Sequence, residues 1–171
     1  VFCNYTQYSS RYDALVAGQT PNIFNPEFFG GALGDLNIYN LHLIVALFGA
    51  PDQADYVATR HDNGVDLSGT MIMQYPEFVA ISTANKNSHG ESWIQIQGEK
   101  GYIYTKEKPS ILQSFYSSLT DETLTYQPLT NYEYEISDLV EMITKDDRAM
   151  YEKYKTQTLT VLKLFSDFHG Y

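Results

Sequence analysis

The sequence predicts an α+β fold, an open and largely antiparallel β-sheet with helices packed on one face. Three observations lead there. From residue 54 onward, short segments rich in β-branched and aromatic residues recur between turn signals, the mark of successive hairpins. Residues 30–49, GGALGDLNIYNLHLIVALFG, read as one apolar helix. The C-terminal part carries two amphipathic helical patterns. Strands followed by helices, without strict alternation, indicate α+β rather than α/β.

Taken in order, residues 1–9 read as a strand. Residues 10–29 have no clear period and contain Gly18, Pro21, Asn22, Asn25 and Pro26, which predict a long loop. The helix at 30–49 opens on a glycine pair and closes on Gly49 before Pro51. Strands follow at 54–60, 65–75 and 78–84, joined by a turn with Asn63-Gly64 and by Pro76-Glu77. Residues 92–97 and 102–105 form a hairpin around Gly98 and Gly101, and further strands fit 111–117 and 123–127. On this sheet Ile94, Ile96 and Ile103 are expected to face helices. Met71, Met73, Tyr75, Trp93, Tyr102 and Tyr104 are assigned to the opposite face, leaving it amphipathic, or else they belong to a larger two-sided core. Residues 133–144 place Ile136, Leu139, Val140 and Ile143 at helical spacing, and 154–169 repeat the pattern with Val161, Leu164, Phe165 and Phe168, with Gly170 as the stop.

The 171 residues suffice for one domain, 1–171, with a real core. A net charge of −10 argues against nucleic acid and anionic membrane surfaces as partners. The single cysteine, Cys3, allows no internal disulfide and fits a reducing, cytoplasmic setting. No uninterrupted apolar run approaches the roughly 18 residues that span a bilayer, and no signal peptide is visible. The first residue is Val1 and the chain reads as a strand from its start, so the expectation is a fragment of a longer protein.

No dinucleotide or nucleotide phosphate loop, nucleophile elbow or zinc motif is present, and the four histidines are scattered. The chemistry concentrates instead on the first long helix. Asp35, Tyr39 and His42 stand at i, i+4 and i+7, which aligns a carboxylate, a phenol and an imidazole on one face. Each also has a structural reading. Asp35 suits a helix first turn, Tyr39 a core aromatic, and His42 a satisfied core histidine. Arg11, Tyr12 and Asp13, at the start of the preceding loop, are candidates for ligand contact, or else anchor that loop or face solvent.

The run GGALGDLNIYNLHLIVALFG resembles the signature of the second domain of the Gfo/Idh/MocA oxidoreductases, the family of glucose–fructose oxidoreductase and inositol dehydrogenase. NIFNPEFFGG resembles the loop before that helix, IQIQGEKGYIY a family hairpin, and NYEYEISDLVEMI the C-terminal helix. The resemblance covers essentially the whole chain. It implies a domain like the C-terminal domain of glyceraldehyde-3-phosphate dehydrogenase, lacking its Rossmann partner. It further implies an NAD- or NADP-dependent oxidoreductase acting on a sugar or polyol hydroxyl. The nucleotide would be held by the absent domain and not by this one, and the open sheet face would form a homo-oligomer such as a dimer.

By position, Asp35 takes the place of the family aspartate and Tyr39 that of its acid/base, with His42 as a second relay, a substrate ligand or the acid/base itself. Arg11, Tyr12 and Asn25 of the preceding loop are the candidate substrate contacts. The sequence departs from the family pattern at Asn37, where glycine is usual. Glu107-Lys108-Pro109 spells the family's lysine motif far downstream of its usual place and is read as a solvated turn. The alternative is a non-catalytic carbohydrate-binding or assembly module of the same fold.

Overall fold

The structure, a computed structural model, describes residues 1–126 and 131–169. Gln127, assigned above to the last strand, and Gly170, the expected helix stop, lie outside them. Eight strands form one sheet: β1 (Phe2–Thr6), β2 (Gln53–Arg60), β3 (Asp66–Gln74), β4 (Val79–Asn85), β5 (Trp93–Gln97), β6 (Tyr102–Thr105), β7 (Ser114–Ser117) and β8 (Glu122–Thr125). Their spatial order is β2-β3-β4-β1-β5-β6-β7-β8. Only β1 and β4 run parallel; the other neighbours are antiparallel, all as hairpins except β1 with β5, which are distant in the chain. The first strand is thus inserted centrally, and the ends of β1 and β4 emerge side by side.

The helices are α1 (Tyr12–Val16), α2 (Ile38–Phe48), α3 (Asn131–Thr144) and α4 (Arg148–Phe168). Residues 10–29 are therefore less irregular than their composition predicts. Besides α1 they hold tight 3₁₀ turns at Asn22–Phe24 and Pro26–Phe28. Leu15 and Phe24 anchor this segment in a small core with Val65 and Leu67. A few well-placed apolar residues fix a segment too short to show a period.

The main core lies between the sheet and α2 with α4. Leu41, Ile44 and Val45 of α2 meet Val161 and Leu164 of α4 over Cys3, Met71, Met73, Ala80 and Ile94. Burial pushes the Cys3 thiol up to about 12, which makes it an inert packing group. Met71, Met73 and Tyr75 thus face the helices, contrary to the face assigned from sequence. The cause is register: Met71 pairs with Ser82 and Met73 with Ala80, and that parity is continuous with Cys3 and Ile94. Alternation within a strand is legible, but which face it meets depends on its neighbours. Trp93, Tyr102 and Tyr104 do take the opposite face by the same register. There Phe2 stacks near Trp93, and Val57, Ile72 and Val79 are exposed.

The apolar stripe of α3 is also exposed at Ile136, Leu139, Val140 and Ile143. That helix is tied to α4 by the Tyr154 hydroxyl, which donates to Asp138 at 2.6 Å. Among the described residues, one run of helical turns, Pro26–Phe48, broken at Gly30-Gly31, is long and apolar enough by composition to cross a membrane. Helical turns join the apolar stretches that the sequence shows interrupted. Half of its most apolar window is buried against the sheet and α4, as in a core helix.

Candidate active site

The glycine pair Gly30-Gly31 turns the chain into its first long helix, and the structure shows why it must be small. Gly31 has φ of 116° and passes so close to Asp66 that a Cβ would fall 1.9 Å from its carboxylate. Asp66 is buried and accepts from Leu33 N at 2.7 Å and from the Tyr56 hydroxyl at 2.6 Å. It therefore caps a helix start that has spare N–H donors. The first turn, Leu33–Asn37, is a π-turn, which passes into α2 at Ile38. Such wide turns occur often at functional positions.

Asp35 sits in this π-turn. Its carboxylate forms an ion pair with the ammonium of Lys86, the residue just after β4. On β4, Ala80, Ser82 and Ala84 point toward the helices and are buried, and Lys86 continues that parity. The Lys86 side chain is only 1% exposed, whereas that of Asp35 is 39% exposed. The Lys86 ammonium also lies 5.3 Å from the centre of the Phe24 ring, a cation–π contact. Burial pulls the Lys86 amine below its ordinary value, and Asp35 and Asp66 pull it back up.

On its open side Asp35 lines a recess of about 440 Å³ with Asn22, Ile23, Phe28 and Gly34. A second, polar recess of about 500 Å³ shares Asn22 and Ile23 and is lined by Arg11, Gln19 and Thr20. Asp35 and Arg11 thus stand on connected surfaces. A larger cleft, about 830 Å³, runs between Phe29, Gly34 and Ile38 and the α4 residues Leu159, Leu162 and Phe165. Its wall is mostly carbon, with Lys163, Ser166 and His169 also on it, and Asp35 does not line it.

Tyr39 lies one turn after Asp35, is 45% exposed, and has its ring 5.9 Å from that of Tyr5 on β1. Its phenol is held above the ordinary value, first by burial and then by Tyr5 and Asp35. Lys108 stands beside this pair. Its ammonium is 5.4 Å from the Tyr5 ring centre and donates to Gln7 at 3.0 Å, while Ser110 shares a hydrogen bond with the Tyr5 hydroxyl. Glu107 accepts from the N–H groups of Gln113 and Ser114 and from the Ser114 hydroxyl. The Glu107-Lys108-Pro109 segment is therefore an ordered turn against β1 rather than the solvated turn read from sequence.

His42 is turned elsewhere. Its Nδ1 meets Gln157 Nε2 of α4 at 3.3 Å, and the same amide donates to the His42 carbonyl. Burial holds the imidazole below its ordinary value. Tyr12 packs edge-on to Tyr8 and against Phe24. Asn25 accepts from Glu27 N at 3.0 Å and so caps a turn.

Sequence reasoning missed Lys86 and a buried polar tie. Asn37 and Asn40, both fully buried, join α2 to β4. Asn37 Oδ1 accepts from the Ser82 hydroxyl and, at 2.8 Å, from Asn40, whose amide also donates to Thr83 O at 3.0 Å. Asn37, which stands where glycine was expected, thus reaches Ser82 through a side chain that glycine lacks.

A model of the GFO/IDH/MocA C-terminal domain matches residues 2–104. The uncharacterized oxidoreductase YgjR of Escherichia coli is 42% identical over 103 residues, 60% of this chain and 31% of that protein. The scyllo-inositol 2-dehydrogenase (NADP(+)) IolU of Bacillus subtilis is 32% identical over 167 residues, 96% of this chain and 51% of IolU. The chain thus spans about half the length of IolU and less of YgjR. Among solved structures, UDP-N-acetylglucosamine 3-dehydrogenase GnnA of Acidithiobacillus ferrooxidans superposes with a TM-score of 0.71 at 15% identity. That match covers 97% of this chain and 50% of GnnA and shows a shared fold.

Proposed function

The chain belongs to the GFO/IDH/MocA family as a C-terminal domain, and from that premise we propose that it handles the substrate in an NAD(P)-dependent oxidoreductase acting on a sugar or polyol hydroxyl. The observation that carries this reading is the half-open carboxylate of Asp35, paired with a buried lysine at the mouth of a recess, with a phenol one turn away.

Family members use NADP, as the name of IolU records. The Gly30-Gly31 pair does not fit a dinucleotide phosphate loop. The glycine pair packs its backbone against Ile23 and the Asp66 carboxylate, which leaves no cradle for a pyrophosphate. The nucleotide is therefore assigned to the part of the protein that relatives carry beyond this chain.

What this chain supplies is proton handling and orientation. Oxidation of a secondary alcohol requires its O–H proton to leave as the carbon is oxidised, and reduction of the ketone requires that proton back. Tyr39 Oη exchanges that proton, and Asp35 accepts a hydrogen bond from the substrate and orients it. Arg11 binds a more distant polar group across the shared wall at Asn22. Tyr12 and Asn25 shape that wall. His42 is ranked below Tyr39 because its ring is already engaged by Gln157.

The test is a screen of sugars and polyols with the protein that carries this domain and its nucleotide-binding half, following reduced nicotinamide by absorbance. Turnover of a polyhydroxylated substrate with NAD or NADP is expected. Saturable sugar binding by the same protein without turnover of any substrate overturns the reading and leaves a carbohydrate-binding module.

A further inference from the structure

We propose that Lys86 is a positioning residue of this reaction, acting through Asp35. The inference rests on the function proposed above. Lys86 is the most thoroughly enclosed charged group among the described residues. Its backbone is fixed on both sides: its N–H donates to Leu67 O at 2.9 Å, and its carbonyl accepts from Ser9 N at 2.8 Å. Its ammonium lies over the Phe24 ring, and Phe24 is itself packed against Tyr12.

The ammonium is directed at one oxygen of Asp35, Oδ2. Being 1% exposed, it cannot reach a ligand in the recess. Its influence on anything bound there passes through the carboxylate. Holding Oδ2 leaves Oδ1 for a substrate hydroxyl and fixes the plane of the carboxylate. A buried charge that costs desolvation, spent on a half-open partner, serves orientation better than stability. The π-turn and Lys86 act together, since one presents Asp35 and the other locks it.

The experiment is steady-state kinetics on the protein carrying both halves, with Lys86→Met, Lys86→Gln, Asp35→Asn and the Lys86→Met/Asp35→Asn double variant. Methionine has nearly the same volume and suits the buried stem. Glutamine is a second neutral replacement should methionine impair folding, which a cooperative thermal melt reports. If Lys86 acts through Asp35, Lys86→Met lowers kcat about 10- to 100-fold, as misplacement of a catalytic group does, with a smaller change in KM. The double variant then turns over no more slowly than Asp35→Asn alone. Unchanged kcat in a folded Lys86 variant, or losses that multiply in the double variant, overturns the assignment. Failure of the unsubstituted protein to turn over any substrate instead overturns the functional reading beneath it.

Discussion

Lys86 and Asp35 are unequal partners, and the inequality is measurable. Asp35→Asn strands a buried ammonium, which should cost roughly 3 kcal/mol, the low end for breaking a buried pair because Asp35 is itself partly wet. Lys86→Met leaves a carboxylate that water can reach and should cost about 1 kcal/mol or less. Urea denaturation of this chain gives both numbers, and equal costs would contradict the geometry. His42 contributes a pH dependence. Its pKa in the fold lies below the ordinary 6.5 because burial disfavours the cation. Its contribution is therefore complete above pH 6.5 and is lost as pH falls through the lowered value. Thermal stability of His42→Gln should fall less steeply on acidification from pH 7 than that of the unsubstituted chain. Helical spacing in the sequence places Tyr39 one turn after Asp35, but it could not show that a π-turn begins the helix or that His42 faces Gln157 of α4. Lys86 was not legible, because its burial depends on β4 parity and on β1 returning beside it.

The helix start is held by side chains whose roles emerge only once strands and helix meet. Asn37 links Ser82 and Asn40, so Asn37→Ala leaves buried polar groups unpaired and should cost about 2 kcal/mol in chemical denaturation. A stability change below experimental error would show that the tie contributes nothing. Hairpins were legible from turn residues and alternation, and β6 falls where the pattern placed it. The facing of Met71, Met73 and Tyr75 was not, since one residue of register exchanges the faces of a strand. The short α1 was hidden because five residues carry too little periodicity to register.

At the scale of the whole molecule, one face of the sheet is covered by α2 and α4 and the other is open. Phe2, Val57, Ile72, Val79, Trp93 and Tyr102 lie on that open face by register. We propose that a second copy covers it. Val57→Glu combined with Ile72→Lys should then reduce the sedimenting mass to that of a monomer without lowering the melting temperature of the fold. An assembly that survives both charges would move the interface elsewhere. The proposed function makes Asp35 and Tyr39 the proton-handling half of an oxidoreductase. Tyr39→Phe tests it most directly. Its phenol is pushed above its ordinary value of 10.0, so alcohol oxidation should gain rate as pH rises on the alkaline side. In the protein carrying both halves, the variant should lose about 10²- to 10⁴-fold in kcat and lose that alkaline rise. Turnover of Tyr39→Phe with an unchanged kcat and pH profile would contradict it.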